Sequence, residues 1–262
     1  MSQRQSRSDT GRPRLWVEFA LIAVAYSTYS MIRNAASGHE AAAFRRAEAI
    51  LQAEQALNLD IELAINRAVD RISWLIVGMN YYYATLHIAV TVGVLIWLYR
   101  FHPGHYRAAR TALAATCGLA LIGFYAFALA PPRFLGHYGF IDTIATHDTW
   151  GSMASGDVGT LSNQYAAMPS LHIGWSVWCA TAIVMLARRR WVRVLAGLYP
   201  VATLVVIVAT ANHFVLDAVG GLLVLAAGFA VQRFVTQGPA YRPARPDEKA
   251  RPLEPVPATS AS

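Results

Sequence analysis

Apolar positions in this chain come in long blocks, not in the alternation of strands or the narrow stripes of soluble helices. Six blocks approach the roughly twenty residues that match the hydrocarbon thickness of a bilayer. They run over 15–32, 73–99, 108–130, 171–187, 193–210 and 212–234. The last two form one nearly continuous stretch, too long for a single pass, and its break at Asn212-His213 predicts a hairpin. Between the first two blocks, Glu40 to Arg71 reads differently. Phe44, Ala47, Ile50, Leu51, Leu57, Ile61 and Ile65 recur at roughly helical spacing in a mixed-charge background. That pattern predicts one or two amphipathic helices lying on a membrane surface, with an ordinary soluble helical linker as the alternative. The expected fold is all-α: a polytopic membrane protein built as a six-transmembrane-helix bundle with an amphipathic interfacial segment.

Composition agrees with this pattern. Of 262 residues, 55% are hydrophobic and 14% charged, with a mean hydropathy of +0.35; soluble domains carry about a quarter charged residues. The net charge of +7 would suggest nucleic acid on a soluble protein, but here the placement of the basic residues accounts for it. With the N-terminus inside, sixteen of the 22 Lys and Arg fall on inside segments, among them Arg188, Arg189, Arg190 and Arg193. Arg33, Arg45, Arg46, Arg67, Arg71 and Arg133 fall outside. Short cytoplasmic loops are enriched in Lys and Arg, so both termini are expected in the cytoplasm of a multi-pass plasma-membrane protein. The chain then divides into a cytoplasmic tail (1–14), a first span with interfacial helices (15–72), a catalytic membrane domain (73–234) and a disordered cytoplasmic tail rich in proline and charge (235–262). A cleaved signal peptide ending near Ala41-Ala42-Ala43 is an alternative for the first block. Cys117 and Cys179 lie inside apolar blocks and read as core packing.

Topology groups the polar residues. Pro131-Pro132-Arg133, Met168-Pro169-Ser170-Leu171-His172 and Asn212-His213 all fall at outer span ends. Ionisable groups at membrane depth are expensive and mark function, and Asp217 lies inside a span among apolar neighbours. His213 and Asp217, at i and i+4, share a helix face. The carboxylate can hold one imidazole nitrogen and leave the other nucleophilic. Pro169 and Ser170 stand where a helix begins, a natural anion site. Arg133 offers a planar fork for phosphate oxygens or snorkels at the interface. His172 can protonate a leaving oxygen. Asp142, Asn163 and Tyr165, in the outer loop, are headgroup contacts or loop caps. His87 is an interhelical histidine or a substrate contact. Metal ligation by His172, His213 and Asp217 is a further alternative.

At these residues the chain resembles a known family. Pro169-Ser170-Leu171-His172 and His213-Phe-Val-Leu-Asp217 look like the second and third signatures of the type 2 phosphatidic acid phosphatase superfamily. Asn163-Gln-Tyr-Ala-Ala-Met-Pro-Ser-Leu-His172 and Ala130-Pro-Pro-Arg-Phe134 look more like its inositol phosphorylceramide synthase branch, in a bacterial-type member. The resemblance covers about residues 73–232. It implies a six-helix fold and a phosphohistidine mechanism without cofactor or metal. His213 would be the nucleophile, Asp217 its orienting partner, His172 the acid, and Arg133 and Ser170 phosphate ligands. The chain also departs from the signatures. Ala126 stands where the first signature has lysine, the one lysine being Lys249 in the tail. Ile207 stands where an arginine usually precedes the histidine by six, and Leu171 replaces a glycine.

Two enzymatic outcomes share this machinery: transfer of a phospho-headgroup such as phosphoinositol from a lipid to a polyol, and hydrolysis of a phospholipid or polyprenyl phosphate. The expected partners are these lipids, the surrounding membrane and a polyol acceptor, with no nucleic acid. The 35 residues from Phe134 to Met168 favour an acceptor site or lid, since long loops in compact folds are often functional. A proton-coupled transporter is the alternative of another class; it predicts polar residues along several spans.

Overall fold

The computed structural model describes residues 16, 27, 40–149 and 165–241. Among these the chain is helical, and one isolated bridge between Leu129 and Ala166 is the only β-type pairing. The elements are α1 (Glu40–Ala56), α2 (Glu62–Asp70), α3 (Ser73–Phe101), α4 (Pro103–Ala126), the short α5 (Thr143–Thr146), α6 (Leu171–Leu186), α7 (Arg190–Ala209) and α8 (Val215–Thr236). Two 3-10 turns, Pro132–Phe134 and Gly136–Tyr138, precede α5.

Among the described residues four helices, α3, α4, α7 and α8, are long and apolar enough to cross a membrane. α6, expected as a span over 171–187, has 16 residues, about 24 Å at ~1.5 Å per residue and short of a ~30 Å hydrocarbon layer. The first expected span, 15–32, and the N-terminal tail lie outside the described residues apart from residues 16 and 27. α4 starts and ends earlier than the apolar block suggests. Pro103 suits a first helical turn, and Leu129 leaves the helix to bond elsewhere, from its N–H to Tyr165 O (2.7 Å) and from its O to Ala167 N–H (3.3 Å).

The segment from Glu40 to Arg71 is expected to form one or two amphipathic helices. It does form two helices, but their inner faces pack on protein. Ala43, Ala47 and Leu51 join Ala128, Leu129, Ala130, Leu135, Phe140, Ala167, Ala211 and Phe214 in one core, with Phe44 and Ile50 against it. These partners are the loops at one end of the bundle, so α1 covers that end. Leu57 and Ile61, which belong to the expected apolar face, are exposed. The C-terminal boundary also moves. α8 runs to Thr236, and Ala240 and Tyr241 fold back into the core between α3, α4, α6 and α8, where Gln232 donates to Gly238 O (2.8 Å). Residues 242–262 lie outside the described residues.

Glycine sets two close approaches along α8. A Cβ on Gly228 would stand 2.1 Å from Thr116 Oγ1 on α4, and one on Gly221 would stand 2.3 Å from Ser170 O at the start of α6. α8 thereby reaches both helices at backbone distance.

Candidate active site

The expected hairpin is a five-residue turn between α7 and α8. Ala211 takes a left-handed conformation (φ 49°) and reverses the chain. Asn212 N–H and His213 N–H return to Ile207 O (3.0 and 3.3 Å), and Asn212 Nδ2 donates to Thr210 Oγ1 (2.8 Å). His213 is thus held, buried, two residues ahead of the first residue of α8.

Asp217 lies fully buried in the first turn of α8. Its Oδ2 accepts the Phe214 N–H (3.0 Å) and stands 3.3 Å from His213 Nδ1. A shorter contact joins His213 Nδ1 to Ala167 O (2.8 Å). A carbonyl only accepts, so Nδ1 carries the proton and Nε2 keeps its lone pair. Nε2 faces His172 Nδ1 at 3.2 Å. The i,i+4 pair read from sequence is present, but a main-chain carbonyl is the nearer partner of the imidazole.

His172 opens α6 and is enclosed by rings. Tyr83 stacks on it (4.2 Å between centroids, 21° between planes) and His87 lies at 4.2 Å, with Trp175 5.6 Å beyond His87. Tyr83 and His87 come from α3 at a π-helical turn, Tyr82–Leu86. Such turns occur as single bulges, often at functional sites. His87 is therefore placed against the candidate acid.

Ser170 is buried, its Oγ without a partner and its N–H bonded to Asp217 O (2.9 Å). Arg133 donates its N–H to Ala211 O (2.8 Å), packs over Phe134 (4.3 Å) and pairs with Asp142 Oδ2 (2.9 Å), leaving Nε buried and unpartnered. Asp142 also caps α5 through Ile144 N–H and Ala145 N–H. Tyr165 packs on Phe44 and Phe134 (6.2 and 6.3 Å). Asn163 lies outside the described residues.

The structure therefore gathers His213, Asp217, His172, Ser170 and His87 in one group. Arg133 joins it through the Ala211 turn; Asp142 pairs with Arg133, and Tyr165 packs on the neighbouring Phe134. Among the described residues no three His, Cys, Asp or Glu side chains converge as metal ligands. A cavity of about 690 Å³, lined by Val94, Trp97, Phe101, His102, Arg188 and Arg189 among others, lies near the far ends of α3 and α6, away from His172 and His213.

Sequence reasoning missed Ala167, Tyr83 and two acids, Glu54 and Glu62. Both acids are fully buried. Glu62 Oε1 accepts the Val215 N–H and Glu54 Oε1 the Leu216 N–H, each at 2.8 Å. The signal for Glu54 was available: with Ala47 and Leu51 it follows the i, i+4, i+7 rhythm of the buried face of α1. Burial pushes the Glu54 carboxyl up to about 9; the Leu216 N–H opposes the shift, and the nearby carboxyls of Glu62 and Asp217 add to it.

A bundle of membrane-length apolar helices, with two histidines meeting beside a buried aspartate, defines a histidine-based site at one end of the bundle. The model of the PAP2 superfamily matches residues 48–231, and the chain belongs to that superfamily. No curated protein and no solved structure matches it. Membership points to a phosphatase or phosphotransferase of lipid phosphates. The matched region begins within α1, so it includes Glu54 and Glu62 as well as the histidines.

Proposed function

We propose that the protein is an integral-membrane phosphotransferase that moves a phospho-headgroup, such as phosphoinositol, between a lipid and an alcohol through a phosphohistidine on His213. The observation that carries this reading is the pair of contacts on His213: Nδ1 donates to Ala167 O while Nε2 faces His172 at 3.2 Å. Nε2 attacks phosphorus, and the bond to the leaving oxygen breaks as His172, entering as imidazolium, protonates that oxygen. Neutral His172 then takes the proton of an incoming hydroxyl, whose oxygen attacks the phosphohistidine and frees His213. The start of α8 is already occupied by Glu54, Glu62 and Asp217, so the phosphate falls to the start of α6, Ser170 Oγ and the unpartnered Nε of Arg133.

The histidines lie at the end of α6 opposite Arg188, Arg189 and Arg190. With arginine-rich ends inside, the site opens on the extracytoplasmic face of the plasma membrane. Hydrolysis of a lipid or polyprenyl phosphate uses the same residues with water as acceptor.

The test incubates purified protein with headgroup-labelled phospholipids, with and without inositol, and separates free phosphate from new lipid. New inositol-dependent lipid supports transfer, and free phosphate alone supports hydrolysis. His213→Gln should lose nearly all turnover of either kind, because covalent catalysis contributes several powers of ten. More than about a tenth of wild-type turnover in that variant removes His213 as nucleophile.

A further inference from the structure

α8 begins with its free N–H groups buried inside protein. In most helices a side-chain cap or water satisfies such donors. Here two glutamates from α1 and α2 reach across more than 150 positions of sequence to do it, Glu62 at Val215 and Glu54 at Leu216. Asp217 takes the Phe214 N–H, so three successive donors each meet a carboxyl from a different element. Capping adjacent N–H groups brings the Glu54 and Glu62 carboxyls side by side, and the nearby Glu62 raises the affinity of Glu54 for its proton. Both second oxygens are buried away from any other donor. The charged or titratable groups acting on Glu54 are Glu62 on α2 and Asp217 on α8, and Asp217 in turn meets His213.

We propose that Glu54 and Glu62 are positioning residues for the histidine pair, sharing one proton between them so that the first turn of α8, and with it Asp217 and His213, keeps a single orientation. The proposal rests on the phosphohistidine reading above. Three ionised carboxyls at one buried helix start would repel one another, whereas one neutral member turns the Glu54–Glu62 repulsion into a hydrogen bond. Loss of the shared proton should loosen the turn and misplace Nε2. The raised affinity of Glu54 for its proton puts that loss near pH 9. The sign follows: the arrangement is intact below this pH and fails as pH rises through it. Glutamine at position 54 reproduces the neutral form, with an oxygen for the Leu216 N–H and an N–H for Glu62.

The experiment measures kcat and KM of the full chain in detergent across the alkaline range, with an aryl phosphate as substrate. Its leaving group needs no protonation, so the acid role of His172 drops out of the profile. Wild-type kcat should fall about tenfold per pH unit above pH 9. Glu54→Gln should stay within about threefold of wild type near neutral pH and show no such limb. Glu54→Leu, which strands the Leu216 N–H, should lose at least tenfold in kcat with KM little changed. If Glu54→Leu does not fold, the comparison of wild type with Glu54→Gln decides alone. Superimposable profiles for these two would overturn the proposal, as would full kcat in folded Glu54→Leu. A parallel His213→Ala variant separates the two levels. Activity there defeats the phosphohistidine reading itself, while an inactive His213→Ala beside superimposable profiles defeats only the role of the glutamates.

Discussion

Replacing Gly221 by alanine adds one methyl group where α8 meets the start of α6. Its carbon would stand 2.3 Å from Ser170 O, 3.2 Å from Ser170 C and 3.5 Å from Gly174 N, all main-chain atoms. None of these can rotate away as a side chain would. Contact at ordinary distance requires the two segments to part by about 1 Å. The Ser170 N–H bond to Asp217 O, now 2.9 Å, would then lengthen beyond hydrogen-bond range. Overpacking of this kind costs about 1–3 kcal/mol, more than the ~0.5–1 kcal/mol that alanine gains over glycine inside a helix. The functional loss should exceed the structural one, because Ser170 and His172 ride on the segment that moves while His213 and Asp217 stay with α8. A displacement of about 1 Å costs on the order of a hundredfold in rate. The assay compares turnover and thermal midpoint for Gly221→Ala with those for Gly118→Ala, where a Cβ meets nothing within 4 Å. Gly118→Ala should match wild type in both. Gly221→Ala with turnover within about threefold of wild type would show that the start of α6 need not hold register with α8.

Asp217→Asn should reduce kcat by about ten- to a hundredfold, far less than His213→Gln, since Ala167 O continues to hold the imidazole proton; equal losses in steady-state assays would make the carboxylate the dominant partner. Gly136, exposed and with open space at its Cβ position, is a clean site for a cysteine. Gly136→Cys in intact cells should react with an impermeant thiol reagent, and labelling only after lysis would place the histidines on the cytoplasmic side.

Much of the site was legible because its chemistry resides in residue types. His213 and Asp217 announce themselves as an i,i+4 pair in an apolar helix, and Ser170 and His172 as polar residues after a proline. The parity of the expected span ends assigns these motifs to one face. What stayed hidden has no residue-type signature. Ala167 contributes a carbonyl that any residue would supply. Tyr83 reaches His172 through a π-helical turn, whose extra residue shifts the helical register. Glu54 and Glu62 resembled solvated charges in a mixed segment, because their partners are N–H groups far along the chain. The same feature hid the protein contacts of α1 and α2. A helix whose apolar stripe is broken by an acid looks suited to an interface with lipid headgroups until the acid is seen capping another helix. Asn66 makes the point for the outer loop, since its Nδ2 donates to Ala209 O (3.0 Å) and its Oδ1 accepts the Ile141 N–H (2.9 Å).

The carbonyl that holds His213 has a consequence for how this site can change. In a chain of side-chain partners, each link is one codon, and a single replacement can delete it. The 2.8 Å contact from Ala167 O belongs to the path of the main chain, so no substitution at position 167 removes the oxygen. Only a displacement of the strand-like segment 165–170 does so, and the Leu129 pairing anchors that segment. The tautomer of His213 is thus buffered against point mutation at its nearest contact and exposed to insertions or deletions that shift the outer loop. Side-chain replacement at position 167 therefore leaves this contact standing, whereas loss of the pairing with Leu129 does not.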